Sequence, residues 1–400
     1  MTKKYKFYYA EANYGQSEIN AVLKVLRNQK HYLMGGKQTL KLEKEVSNLF
    51  GKKYGLMTNS GSSSNLLAIN SFQFKKGSEI ITPALTFSTT VSPIVQNNLV
   101  PAFVDININT LQIDTQLVEN AVNNKTVAIM VPNLIGNIAD WKKLRLIANK
   151  HKLKLIEDSA DTIGYNYKLK DKYKKSDVCT TSFYASHIIT GAGFGGMVCF
   201  NDYKNFKYAR SLRNWGRRSA NYGETENYIR RFDNTIGGIR YDDKYIFDDL
   251  GYNFMGSDIS AAFALSKLKN LKKNIKKRRD NFNKLKMLFQ NFDKYIKTFE
   301  TTQGYETGWL AFPIMVKNYK HFNNRTDLQI KLEKSGIQTR PIFTGNITRH
   351  PVAKKFKWSV YGNLNNSNKI MKSGILLGCH ELINDQNINY LKEKLSEFYK

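Results

Sequence analysis

54-YGLMTNSGSSSNLLAINSF-72 is the stretch that decides the fold. Five residues of strand character lead into a turn of small polar residues, Gly61 with Ser60, Ser62, Ser63 and Ser64, and then into apolar residues at helical spacing. Strand, turn and helix in that order form one half of a parallel α/β repeat. Working outward, the alternation continues. The short apolar runs "EIITPALT", "VPAFVDI", "TVAIMVPN" and "LKLIEDSA" have strand length, and the stretches "STTVSPIVQNN" and "DWKKLRLIANKHK" between them read as helices. Upstream, "AVLKVLRNQ" and "TLKLEKEVSNLFG" read as amphipathic helices, the second closed by Gly51. The pattern predicts a mostly parallel sheet with helices on both faces and a ligand site at the carboxyl ends of the strands.

From about residue 258 the character changes. The segment from Ser257 to Phe292 is one long helical pattern, broken at most once, with Ser257 and Asp258 as caps. The strand-like "WLAFPIMV" and "GIQTRPIF" follow, with one helix between them and another at the C-terminus. The expected organisation is a large α/β domain, 1–257, and a smaller α+β domain, 258–400.

The chain of 400 residues can bury a large core, and 41% hydrophobic residues argue against disorder. Cys179, Cys199 and Cys379 have neither metal-like nor redox-pair spacing, which fits a reducing cytoplasm. No signal peptide is read, and no run approaches the roughly 18 apolar residues of a membrane span. The net charge of +29 comes from lysines spread through the chain. A solvated lysine surface explains it better than nucleic-acid binding. The arginines differ: Arg210, Arg213, Arg217, Arg218, Arg230, Arg231 and Arg240 cluster in one short stretch. Their planar forks suit phosphates, and salt bridges within the fold explain them about equally well.

Four places carry candidate chemistry. The turn at Ser60, Gly61 and Ser62 is a phosphate site, where small residues let an anion reach a helix N-terminus. Taken alone, an ordinary N-cap turn accounts for it equally well. Glu157-Asp158 at a strand end could hold a metal, a ribose or a protonated ring nitrogen, and by itself reads as a helix cap. Phe87 follows another strand, either to stack on a ring or to fill the core. "TTSFYASHIITGAGFGGMVCF", 180–200, places Ser182 and His187 before a loop with four glycines.

In order, these pieces resemble the DegT/DnrJ-type nucleotide-sugar aminotransferases, pyridoxal phosphate (PLP) enzymes of fold type I, along nearly the whole chain. The phrases "NSGSSSNLLA", "TTVSPIVQNNLVPAFVDI", "LIEDSADTIG", "SFYASHIIT", "LRNWGR", "YIFDDLGYN" and "TRPIFTGNITRHP" resemble its sugar 3-dehydratase branch. The resemblance implies a seven-stranded-type sheet. It places the coenzyme phosphate on Ser60, Gly61, Ser62 and Ser182, and an aromatic face, Phe87, against the pyridine. Asp158 would keep the pyridine nitrogen protonated, and Asn253 would reach the coenzyme of a neighbouring subunit, implying a homodimer. Where the aminotransferases carry a lysine in Schiff-base linkage, this chain has His187. An imidazole makes no such link but still moves protons, so the resemblance implies noncovalent pyridoxamine phosphate and loss of a sugar hydroxyl.

The substrate implied is a nucleotide-diphospho-4-keto-6-deoxyhexose of deoxysugar and lipopolysaccharide (O-antigen) biosynthesis, with glutamate as amino donor and Arg213, Arg217 and Arg218 as diphosphate contacts. Iron–sulfur members of the branch carry four cysteines after the "WGR" phrase; "RRSANYGETENYIRRF" here has none, so no cluster, and no metal, is expected. "TGAGFGG" also departs from the Gly-Glu-Gly-Gly-like turn of relatives. The alternatives are an aminotransferase on the same sugars and a noncatalytic binder of coenzyme or sugar nucleotide.

Overall fold

The computed structural model describes residues 5–28, 32–167, 176–222 and 226–400. Three residues of the stretch expected to lack cluster ligands, 223–225, lie outside them. The opening reading of 54–72 holds. Tyr54–Thr58 is a strand, and Gly61–Asn70 is a helix whose N-cap Ser60 accepts from the Ser63 N–H at 3.1 Å.

The large sheet runs Tyr54–Thr58, Gly196–Phe200, Val178–Ser182, Lys154–Ser159, Thr126–Pro132, Glu79–Pro83, Val100–Val104 and Ser359–Val360. Only Gly196–Phe200 is antiparallel to its neighbours, so every other strand presents its carboxyl end on the same edge. Seven strands come from the first 200 residues, as the sheet type implied. The eighth, two residues long, arrives from the C-terminal region. The buried Glu79 holds it there, accepting from Ser359 Oγ at 3.1 Å, Tyr361 OH at 2.9 Å and Asn123 Nδ2 at 2.8 Å. Helices cover both faces. Trp141 and Leu144 of Trp141–Lys150 join the core on one side; Leu67 and Ala68 of Gly61–Asn70 join it on the other.

The long helical pattern after residue 257 breaks once, at Lys269–Asn270, into Asp258–Leu268 and Leu271–Gln290, with Ser257 as N-cap. A four-stranded antiparallel sheet follows: Ile296–Thr298, Ala311–Val316, Gly374–Gly378 and Arg340–Pro341. Its core is aromatic, with Phe282 stacked on Trp309 at 4.3 Å. Elements cross the 257/258 division both ways. Ala261, Ala264 and Leu265 pack into the core of the large sheet, while Phe7, Leu134 and Ile135 pack into the C-terminal core. Among the described residues no helix is long and apolar enough to cross a membrane.

Candidate active site

A cavity of about 430 Å³ opens where the parallel strands end. Ser60, Gly61, Ser62, Phe87, Asp158, Ser182 and His187 all line it, although they are spread through the sequence from 60 to 187.

Strand alternation separates the two acids of 157–158, because successive side chains leave opposite faces. Glu157 turns away from the cavity. Its Oε1 accepts from Asn133 (3.1 Å), Ser159 (2.8 Å) and Tyr165 (2.5 Å), and its Oε2 from Ser176 (2.9 Å), which makes it a hub of the fold. Asp158 turns inward. Its Oδ2 accepts from Asn65 (2.8 Å) and Thr90 (2.9 Å), and its Oδ1 from the Ala160 N–H (3.1 Å). Burial pushes its carboxyl above the ordinary range, against the pull of those bonds. A cation brought to this carboxylate would relieve the strain of burial.

The phosphate turn is built by close approach. A Cβ on Gly61 would stand 2.7 Å from Ser182 Cβ, and one on Gly196 only 2.4 Å from the Ser60 carbonyl carbon. Glycines at both positions let the Ser60–Ser62 turn and the Val178–Ser182 strand end meet in one wall of the cavity. In the glycine-rich loop Ala192 adopts φ 56° and Gly195 φ 119°. Phe194 between them is exposed and reaches the cavity rim.

His187 sits in the turn after Val178–Ser182, its N–H bonded to the Tyr184 carbonyl at 3.0 Å and its ring edge-on to Tyr184 at 5.8 Å. Nε2 lies 3.9 Å from Asp161 Oδ1. Burial pushes the imidazole down to about 4, with the Arg278 charge adding to the effect and the Ser182 backbone opposing it. Burial likewise pushes Asp161 up to about 7, against a 2.8 Å bond from the Ile135 N–H and helped by the Asp158 charge. The imidazole is therefore neutral near pH 7 and free to accept a proton, with a carboxyl beside it poised to balance the resulting charge. No lysine lines the cavity among the described residues.

The other expected site residues stand apart from this cavity. Asn253 is exposed, its carbonyl taking a long 3.5 Å bond from Asn59 Nδ2. Arg213 does not line the cavity: its buried guanidinium bonds Glu43 at 2.9 Å, the Met57 carbonyl at 2.7 Å and Asn214 at 3.0 Å, which ties it into the fold. Arg218 pairs with both oxygens of Asp248, and Arg217 lies 4.2 Å over the Trp215 ring; neither lines the cavity. Sequence reasoning missed Tyr9, Asn65, Thr90, Asp161 and Phe343, which line the cavity as well. Asp161 had a legible signal, three residues after Asp158 at the same strand end. Tyr9 and Phe343 arrive from distant segments and had none. Among the described residues no group of three His, Cys, Asp or Glu is placed to hold a metal.

The DegT/DnrJ/EryC1/StrS aminotransferase family model matches residues 13–396. The chain is 35% identical over 379 residues to the lipopolysaccharide biosynthesis protein RfbH of Salmonella typhimurium, covering 92% of this chain and 86% of that one. A solved E. coli GDP-4-keto-6-deoxy-D-mannose-3-dehydratase with bound hydrated PLP superposes with a TM-score of 0.86 at 29% identity, covering 98% of this chain and 100% of the other. A GDP-4-keto-6-deoxymannose-3-dehydratase solved with a trapped PLP–glutamate geminal diamine gives the same score and identity, covering 97% and 100%. The chain belongs to the DegT/DnrJ/EryC1/StrS aminotransferase family.

Proposed function

We propose that this chain is a pyridoxamine-phosphate-dependent 3-dehydratase of a nucleoside-diphospho-4-keto-6-deoxyhexose, acting in deoxysugar biosynthesis without an iron–sulfur cluster. The observation that carries the reading is the cavity itself: the carboxylate of Asp158, the Ser60–Gly61–Ser62 turn and His187 face one space that no described lysine enters. Named relatives that share the architecture, one with bound PLP and one with a PLP–glutamate adduct, support the coenzyme and glutamate as its amino donor.

The residues present fit the coenzyme. Asp158 offers a buried, hydrogen-bonded carboxylate to a protonated ring nitrogen, and Ser60, Gly61, Ser62 and Ser182 offer hydroxyls and a helix N-terminus to a phosphate. Phe87, 52% exposed at the cavity wall, has a free ring face to lay against the pyridine. When bound, the coenzyme supplies an amine for the sugar 4-keto group and an electron sink that lets the 3-hydroxyl depart. His187 would accept on its imidazole the proton given up by the coenzyme's 4′ carbon, and Asp161, 3.9 Å from Nε2, would balance the charge that develops there. Tyr184, Leu310 and Phe343 add apolar surface to the same cavity lining. The chain's three cysteines fall short of the four thiolates an iron–sulfur cluster takes.

A homodimer is part of the proposal, with Asn253 reaching the partner's coenzyme. Support comes from the large apolar side chains left exposed between residues 228 and 250, namely Tyr228, Ile229, Ile239, Phe247 and Leu250. Sedimentation at micromolar concentration should give a dimer; a monomer there sinks this element of the reading.

The deciding experiment is turnover of a panel of CDP-, GDP- and dTDP-linked 4-keto-6-deoxyhexoses with pyridoxamine-loaded protein and glutamate. A 3-deoxy product with released ammonia is expected. An aminosugar that keeps its 3-hydroxyl would establish the aminotransferase alternative, and coenzyme binding with no turnover of any sugar would leave only a binder.

A further inference from the structure

With no lysine to tether it, the coenzyme of the proposed reaction needs another restraint, and Phe343 stands where one is required. Its φ is +43°, a left-handed conformation that a bulky residue adopts only when its surroundings impose it. The imposing contacts follow it in sequence. Thr344 donates to the Thr86 carbonyl from its N–H at 3.4 Å and from Oγ1 at 2.7 Å. The Ile347 N–H donates to the Ala84 carbonyl at 3.0 Å, and His350 Nε2 closes on the Thr344 carbonyl at 2.8 Å. Gly345, at φ +66°, leaves no room for a side chain: a Cβ there would stand 2.5 Å from Met371. The segment 342–350 from the C-terminal region is thus stapled to 84–87, the loop that carries Phe87. The strained turn delivers the Phe343 ring into the cavity, edge-on to Phe87 with centroids 5.9 Å apart and planes at 73°.

We infer that Phe343 is a positioning residue for the coenzyme: the left-handed turn braces its ring against Phe87, so that Phe87 stays pressed to a pyridine that no covalent bond retains. The inference rests on the coenzyme reading above and adds the device that replaces the missing tether. An edge-to-face aromatic pair has the right strength for this, firm enough to slow escape and weak enough to let the coenzyme cycle.

The test is the dissociation rate of pyridoxamine phosphate, followed by coenzyme fluorescence after dilution, together with thermal unfolding of the coenzyme-free protein. Phe343→Gly relieves the left-handed backbone but gives up the ring's packing on the C-terminal core, so its melting temperature should fall modestly while the off-rate rises roughly 2- to 10-fold. Phe343→Tyr should restore the slow rate. In a Phe87→Ala background, Phe343→Gly should add nothing further, because the two rings act as one unit. An unchanged off-rate in Phe343→Gly, or an undiminished effect in the Phe87→Ala background, overturns the inference and leaves the coenzyme reading intact. Wild-type protein that binds no pyridoxamine phosphate overturns the coenzyme reading itself.

Discussion

Replacing a lysine by an imidazole changes two things at position 187: the covalent anchor is gone, and the base that remains is neutral, its pKa pushed down to about 4 by burial. His187→Asn removes the base and keeps a side chain of similar size. The turnover number should fall about 10²- to 10⁴-fold with coenzyme affinity little changed; parallel losses in both would mean that His187 serves binding rather than proton transfer. His187→Lys should trap PLP covalently, seen as added mass after borohydride reduction and unfolding. Asp161 allows a stability test. Its folded pKa is raised from 3.8 to about 7, so the folded state binds its proton more tightly than the unfolded chain does. That contribution to stability is complete below about pH 4 and is lost as pH rises through 7. Urea midpoints of coenzyme-free Asp161→Asn should therefore gain on wild type between pH 4.5 and 7.5. His187 and His380, both lowered to about 4, change stability over the same range but are common to the two proteins. A constant gap across that range would place Asp161 in water, contrary to its burial.

At the scale of elements, the site depends on backbones that touch. Gly196→Ala sets a methyl 2.4 Å from the Ser60 backbone, which cannot rotate away as a side chain would. A cost of about 1–3 kcal/mol is expected from such overpacking. Coenzyme affinity should fall with it, since the displaced turn is the phosphate turn. Gly15→Ala, which meets nothing within 4 Å, is the control and should leave both melting temperature and affinity unchanged. Most elements were legible because their signals are local. The strand–turn–helix at 54–72, the helical stretch that begins at Asp140 and the long helical pattern after 257 all follow from spacing within short windows. Ser359–Val360 was not legible. Two residues carry no alternation, and what makes them a strand is Glu79, some 280 residues away.

For the whole molecule, the arginine cluster shows how tertiary context assigns a residue its task. Arg213 spans the body to Glu43, a carboxyl that burial drives up in pKa and the guanidinium pulls back down. Arg213→Met strands that carboxyl, and an unfolding free energy lower by about 3–5 kcal/mol is expected from denaturant melts. Adding Glu43→Gln should recover part of it. If Arg213→Met instead left stability intact and weakened sugar-nucleotide binding alone, the diphosphate role first expected for it would return.

The sequence alone determined the parallel α/β architecture and named, in order, residues that line one cavity: the serine–glycine turn at 60, the acid at 158 and the imidazole at 187. These are patterns of backbone and residue type that short stretches encode. Tertiary structure gave the two adjacent acids their partners: Glu157 turns into a network with Asn133, while Asp158 faces the cavity on bonds from Asn65 and Thr90. It also committed Arg213 to Glu43 and brought Phe343 onto Phe87 across more than 250 residues. Such pairings depend on distance in space and on desolvation, and nothing in the spacing of a chain records either.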